Sequence, residues 1–306
     1  MTCDAAAPAP IRSFLFVPGD APHKMQKALA AGADALILDL EDAVMPDRKP
    51  EARRIVADFC TARRGQPGPA LWIRINPVAT QAALPDLAAI MHTAPAGLVV
   101  PKVDGPADLI RLSHYLDAFE QQHNLPPGST RLLTVATETP ASLFSLGSYS
   151  HSPPRLFGLT WGAEDLAAGL NASTNRADEG TLAFTYQLAR SLCLAGARAA
   201  GVTPVETAMM NFRDPEAVFH YASLGRQDGF FGMMAIHPDQ VQPINRAFSP
   251  TTAEITAAED VVAAFAKAGG AGAVALNGRM LDIPHLRQAQ HLLNLAQHFP
   301  APTPSA

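Results

Sequence analysis

Ala35-Leu-Ile-Leu-Asp39-Leu-Glu41-Asp42-Ala43-Val44 drives an apolar, strand-like segment into three carboxylates within four positions. A buried strand that ends on charge needs a use for that charge, because burying an unpaired carboxylate is costly. The same event recurs at Leu71-Trp-Ile-Arg74-Ile-Asn76, Gly97-Leu-Val-Val-Pro101-Lys102, Leu132-Leu-Thr-Val-Ala-Thr-Glu138 and Leu156-Phe-Gly-Leu-Thr-Trp-Gly162-Ala-Glu164-Asp165. Each apolar run stops on a charged or amide side chain and is followed by a helix-like segment. Strand and helix signals in alternation imply parallel pairing through crossover helices.

Eight candidate strands fall near 13–17, 35–41, 70–76, 97–102, 131–138, 155–162, 205–212 and 230–236. Between them lie segments with apolar residues at helical spacing, such as 50–59, 108–119 and 181–193. The pattern predicts a (β/α)8 barrel, with its chemistry at the carboxyl ends of the strands. A doubly wound open sheet is the competing architecture, but the span of roughly 240 residues suits a barrel better. The barrel is expected over residues 11–245 and a carboxy-terminal helical extension and lid over 246–299, with flexible tails at 1–10 and 300–306. In the extension, Thr251 or Thr252 with Glu254 marks a helix start, Gly269-Gly-Ala-Gly272 reads as a hinge, and Asn277-Gly278 is a turn signal before a last helix.

Composition is consistent with this. Of 306 residues, 48% are hydrophobic, enough for one large core and a small appendage. The formal charge is −5 and no long basic run occurs, which argues against a nucleic-acid surface. Cys3, Cys60 and Cys193 lack metal-type spacing and read as incidental thiols. The amino terminus has no signal-peptide pattern and no span is apolar enough for a bilayer, so a cytoplasmic protein with no membrane partner is expected.

Taken singly, the strand-end charges have ordinary readings: Asp39, Glu41 or Asp42 as turn caps, Lys102 as a solvated lysine. As a ring, Arg74, Lys102, Glu138 and Asp165 converge from four neighbouring strands onto one mouth. Glu138 and Asp165 are the candidate oxygen ligands of a hard divalent ion; two carboxylates leave most of an octahedral shell to water and substrate, as Mg²⁺ prefers. No thiol is near, which disfavours a Cys-type zinc site. Arg74 offers a planar fork for a carboxylate, so the expected substrate is anionic. His237, before Pro238, reads as a structural hydrogen-bonder.

These segments, together with Arg12-Ser-Phe-Leu-Phe-Val-Pro-Gly19, Glu138-Thr, Gly162-Ala-Glu-Asp-Leu166 and Ile236-His-Pro-Asp-Gln240, resemble in this order the citrate lyase β-subunit-like branch of the HpcH/HpaI aldolase family. The likeness spans roughly residues 11–295. It implies a TIM (β/α)8 barrel with a carboxy-terminal extension, bound Mg²⁺, and carbon–carbon cleavage of a short 3-hydroxy-carboxyacyl-CoA such as citryl-CoA, malyl-CoA or citramalyl-CoA to an acyl-CoA and a 2-oxo acid. A thioesterase on the same fold and a metal-dependent aldolase of free 2-oxo acids are the alternatives. By matching motif, Glu138 and Asp165 are the implied metal ligands, Arg74, Glu41 and Asp42 the catalytic group, and Arg12, Arg74, Lys102 and Glu138 the substrate-binding set. Asp282 matches an aspartate that reaches a neighbouring subunit's site, which implies a homo-oligomer, a trimer or a multiple of three. The sequence departs from the pattern at Gly232-Met-Met-Ala-Ile-His237, which lacks a basic residue, and at Glu206, where Asp is usual.

Overall fold

The computed structural model describes residues 10–177 and 180–299. Eight parallel strands close into a barrel in sequence order: β1 (Ser13–Pro18), β2 (Ala35–Asp39), β3 (Ala70–Arg74), β4 (Gly97–Val100), β5 (Arg131–Val135), β6 (Leu156–Thr160), β7 (Thr203–Glu206) and β8 (Gly232–Ala235). Helices α1 (Pro22–Ala28), α2 (Lys49–Arg63), α3 (Ala83–Ile90) and α4 (Pro106–Gln122) follow the first four strands. After β5 the chain makes only two short 3₁₀ turns, whereas β6 is followed by α5 (Ala163–Gly169) and α6 (Phe184–Ala199); α7 (Pro215–Asp228) and α8 (Val241–Phe248) complete the ring. This is the TIM-barrel fold with a carboxy-terminal helical part.

The barrel interior follows from the two-residue period of a strand. Phe14, Ala35, Ile37, Trp72, Val99, Leu133, Val205 and Met234 form one buried cluster inside it. The intervening residues Leu15, Leu36, Leu38, Ile73, Leu98 and Leu132 are equally buried, as strands with both faces covered must be. Near the amino-terminal end the aromatic rings close the barrel: Trp72 lies 5.7 Å from Phe14 and 5.2 Å from Phe157, with the Arg131 guanidinium 5.1 Å over the Trp72 ring. Gly97 pairs with Trp72 in the β3–β4 ladder, and a side chain there would overlap the indole.

β7 is shorter than the sequence predicts. It ends at Glu206, and 207–212 is loop despite its apolar Ala208-Met-Met composition, because Asp214 caps α7 through a 3.0 Å bond from Ala217 N and draws the chain out of the ladder. The protein divides into two compact units, Ile11–Ile244 and a second containing residues 245–299. In the second, α9 (Thr252–Lys267) packs on α10 (Ile283–His298), and a hairpin of β9 (Ala273–Leu276) and β10 (Arg279–Asp282) joins them. Thr251 and Glu254 form a reciprocal cap at α9. Asn277 and Gly278, both left-handed, make the two-residue turn. The expected tails fall outside the described residues, apart from Pro10, and so does Cys3; Cys60 and Cys193 are buried, unbridged thiols. No described helix is long and apolar enough to cross a membrane.

Candidate active site

The mouth is assembled by strand register. Asp39 pairs with Arg74 in the β2–β3 ladder, each two residues beyond an inward core side chain, Ile37 or Trp72. The next inward position is therefore the first polar one. Arg74 uses its fork on this neighbour: Nε donates to Asp39 Oδ1 at 2.8 Å and Nη2 to Oδ2 at 2.6 Å, with the guanidinium 4.9 Å over the Phe16 ring. Nη1 remains, 3.1 Å from Glu41 Oε2. That contact lacks hydrogen-bond geometry, and Glu41 Oε2 is buried without a hydrogen-bond partner.

Lys102 draws the other elements in. Its backbone is left-handed (φ 53°), an uncommon state for a residue with a side chain. In that conformation its N–H donates to Glu138 Oε2 at 2.5 Å, while Nζ bonds Glu41, donates to Asp42 at 2.8 Å and lies 3.4 Å from Asp165 Oδ1. Asp165 comes from the first turn of α5. Gly162 gives Glu138 its room, since a Cβ there would approach Glu138 Cγ to 3.1 Å. Burial, reinforced by Asp165 and Glu41, pushes the Glu138 carboxyl up to about 8 against the Lys102 N–H. Burial likewise raises Glu41, over the opposition of Arg74 and Lys102. For Asp42 burial loses to the Lys102 hydrogen bond, and its pKa is lowered. Despite burial, Arg74 is raised chiefly by Asp39, with Glu41 and Glu138, and Lys102 by Asp42, Glu41 and Asp165.

The structure thus brings Arg74, Glu41, Asp42, Lys102, Glu138 and Asp165 together. It does not bring Arg12 to them. Arg12 precedes β1, at the opposite end of the barrel, where its guanidinium and backbone N–H bond Asp34 at 2.8–2.9 Å. There it forms an ion pair with Asp34, away from the other residues of the expected substrate-binding set. Asp282 ends β10 in the second unit, exposed, with its carboxylate 2.5 Å from His285 Nδ1, whose hydrogen bond holds its pKa below the usual range. His237 stacks on Phe212 at 4.4 Å and caps the turn after β8, a structural position. Glu206 is fully buried, bonded by Trp161 Nε1 at 2.5 Å and Arg190 Nε at 2.8 Å.

Several residues that shape the mouth escaped the sequence reading. Asp39 caps the turn as expected, Oδ1 accepting from Glu41 N at 2.9 Å and Oδ2 from Ala43 N at 3.3 Å, and it also orients Arg74. Behind it, Lys49 Nζ donates to the Leu40 carbonyl (2.9 Å), the Glu41 carbonyl (3.0 Å) and Asn76 Oδ1 (2.6 Å). Asn76 Nδ2 donates to Asp86, which also accepts from Arg53. This network pins the turn that carries Glu41. Its traces in the sequence are the strand-end amide Asn76 and a lone Asp86 within the apolar α3.

Among the described residues the carboxylates of Asp39, Glu41, Asp42 and Asp165 form ion pairs with Arg74 and Lys102 alone, and Glu138 accepts only the Lys102 N–H, so the mouth holds excess negative charge. Its donors are all oxygen, one buried carboxylate oxygen has no hydrogen-bond partner, and one buried carboxyl is raised by burial and by its carboxylate neighbours Asp165 and Glu41. That set fits a hard divalent cation. Among the described residues no three His, Cys, Asp or Glu side chains form a ready cage, so such an ion would keep much of its shell for water and substrate.

Comparison with known proteins agrees with this geometry. Residues 12–238 match the HpcH/HpaI aldolase/citrate lyase family, and residues 206–301 match a carbon–carbon bond lyase family of the TIM-barrel fold. The chain is 31% identical to the citrate lyase subunit beta of Leuconostoc mesenteroides subsp. cremoris, over 93% of each chain. It is 33% identical to a (3S)-malyl-CoA thioesterase of Cereibacter sphaeroides, over 95% of this chain and 96% of that one. The CitE protein of Mycobacterium tuberculosis, solved in complex with magnesium, acetoacetate and coenzyme A, superposes with a TM-score of 0.76 at 30% identity, covering 94% of this chain and 99% of that one. The chain belongs to the HpcH/HpaI aldolase/citrate lyase family of carbon–carbon lyases.

Proposed function

We propose that the protein is a Mg²⁺-dependent lyase that cleaves a short 3-hydroxy-carboxyacyl-CoA into an acyl-CoA and a 2-oxo acid. The observation that carries this reading is the convergence of Glu138 and Asp165 with an oxygen of Glu41 that accepts no hydrogen bond, beside the one Arg74 nitrogen not spent on Asp39. Glu138 and Asp165 would hold the ion. When bound, Mg²⁺ supplies Lewis acidity toward the oxygens of the substrate. Glu41, lifted by burial, is suited to take the hydroxyl proton. As the C2–C3 bond breaks, its electron pair passes to the thioester as an enolate and the hydroxyl oxygen becomes a carbonyl, which Arg74 Nη1 stabilises. Lys102 holds Glu41 and Asp42 in position. Protonation of the enolate carbon completes the acyl-CoA.

For that last proton we propose Asp282 of a neighbouring subunit, in a homo-oligomer, a trimer or a multiple of three. Asp282 is exposed at the end of a hairpin, and release from the His285 hydrogen bond that lowers its pKa would move that pKa back up. Hybrids of Asp282→Ala and Arg74→Ala subunits should recover activity that neither variant has alone. The unbridged Cys60 and Cys193 suit a reducing cytoplasm.

The thioesterase reading stays in view because a relative of that name is as similar to the chain as the citrate lyase subunit. Purified protein with Mg²⁺ and citryl-, malyl- or citramalyl-CoA separates them. The lyase reading expects 2-oxo acid without free thiol. Free CoA with an uncleaved hydroxy acid would replace it with a thioesterase, and cleavage of free acids without CoA would replace it with an aldolase.

A further inference from the structure

A cavity of about 340 Å³ opens from Asp165, bounded by the residues after β6, by Arg176, Gly180 and Leu182, and by the residues after β7. It lies at the small end of the ~300–1,000 Å³ range of small-molecule sites, the size for an acid of a few carbons rather than a nucleotide-bearing thioester arm. Leu182, Ala208, Met209 and Met210 make an apolar wall. Arg176 stands at its rim.

Arg176 is available in a way that Arg74 is not. Two edges of Arg74 are taken by Asp39 and the third faces Glu41. Among the described residues Arg176 has no carboxylate within ion-pair distance, and its recorded side-chain hydrogen bond is a long one, 3.5 Å to the Gly180 carbonyl. The cavity's own Glu164 is engaged by Asn175 Nδ2 at 2.8 Å. The described backbone on either side of Arg176 is held: Arg176 bridges Leu182, Ala177 N donates to the Thr181 carbonyl at 2.8 Å and Ala183 N to the Asn175 carbonyl at 2.9 Å. A guanidinium with no carboxylate partner among the described residues, over an apolar pocket that begins at Asp165, has the form of a carboxylate receptor.

We propose that this cavity receives the substituent carried on the oxo-acid half of the substrate, and that Arg176 selects substrates in which that substituent ends in a second carboxylate. The assignment rests on the lyase reading for what enters the mouth, but its test does not require turnover. Full-length protein with Mg²⁺ is titrated calorimetrically with 2-oxoglutarate and with 2-oxopentanoate, acids of equal carbon count that differ in the terminal carboxylate. The wild type should bind the diacid more tightly. In Arg176→Gln the ratio of the two dissociation constants should fall roughly ten- to a hundredfold, the worth of a hydrogen bond to a charged group, and Arg176→Lys should keep part of it. An unchanged ratio in Arg176→Gln, or a wild type that does not favour the diacid, overturns the proposal. Thioester assays that yield no 2-oxo acid would sink the lyase reading while leaving the binding ratio to decide the role of Arg176.

Discussion

Two ionic clusters sit at opposite ends of one barrel, and their carboxylates are treated differently. At the amino-terminal end Glu120 accepts from Gly128 N at 2.7 Å, Thr130 N at 2.9 Å and Arg155 Nη1 at 2.8 Å, and Arg155 also bonds Asp117, Ser113 and the Thr130 carbonyl. Burial raises the Glu120 carboxyl, but Arg155 and the backbone donors outweigh it and its pKa is lowered. At the mouth Glu138 has the single Lys102 N–H, and Glu41 Oε2 has no hydrogen bond; both groups are raised. Carboxylates that hold structure are saturated by fixed donors. Those left short of donors are kept for a charge that arrives from outside.

The contrast can be broken by substitution. Glu138→Gln keeps an acceptor for the Lys102 N–H and removes the charge, so turnover should drop on the order of a thousandfold or more while thermal stability is unchanged or higher; a lowered Tm would make Glu138 structural. Arg155→Ala should do the reverse, costing ~3–5 kcal/mol by stranding a buried carboxylate with kcat/KM of the folded protein preserved. Equal losses in both assays would erase the distinction. Arg74→Lys retains charge but loses the fork on Asp39, and kcat should fall by roughly ten- to a hundredfold, measured by 2-oxo acid release. The smallest effect is on acid stability. The folded Glu120 pKa lies below its unfolded value, so its contribution is present above the usual range near ~4.3 and is lost as pH falls through the folded value. Denaturation of Glu120→Gln should therefore show a flatter acid limb than the wild type.

The strands were legible because, buried on both faces, they read as short continuous apolar runs between helical segments, and the strand-end charges announced the mouth. Register was less legible. That Asp39 would consume the fork of Arg74 depends on which residues lie side by side in the β2–β3 ladder, not on either segment alone. The Lys49–Asn76–Asp86 network joins segments far apart in sequence; the strand-end Asn76 and Asp86 on an apolar helix mark two of its members, but not that they meet. β7 was overextended because Ala208-Met-Met looks like a strand and lines a cavity instead. Arg12 could have been placed correctly, since a residue just before a parallel strand lies at the end away from the chemistry.

The measurement closest to the central claim is calorimetric titration of Mg²⁺ into the wild type and Glu138→Ala. One ion per chain should bind the wild type at the carboxylate pair, with binding lost in Glu138→Ala and both proteins folded. Unchanged Mg²⁺ affinity in Glu138→Ala would contradict the account.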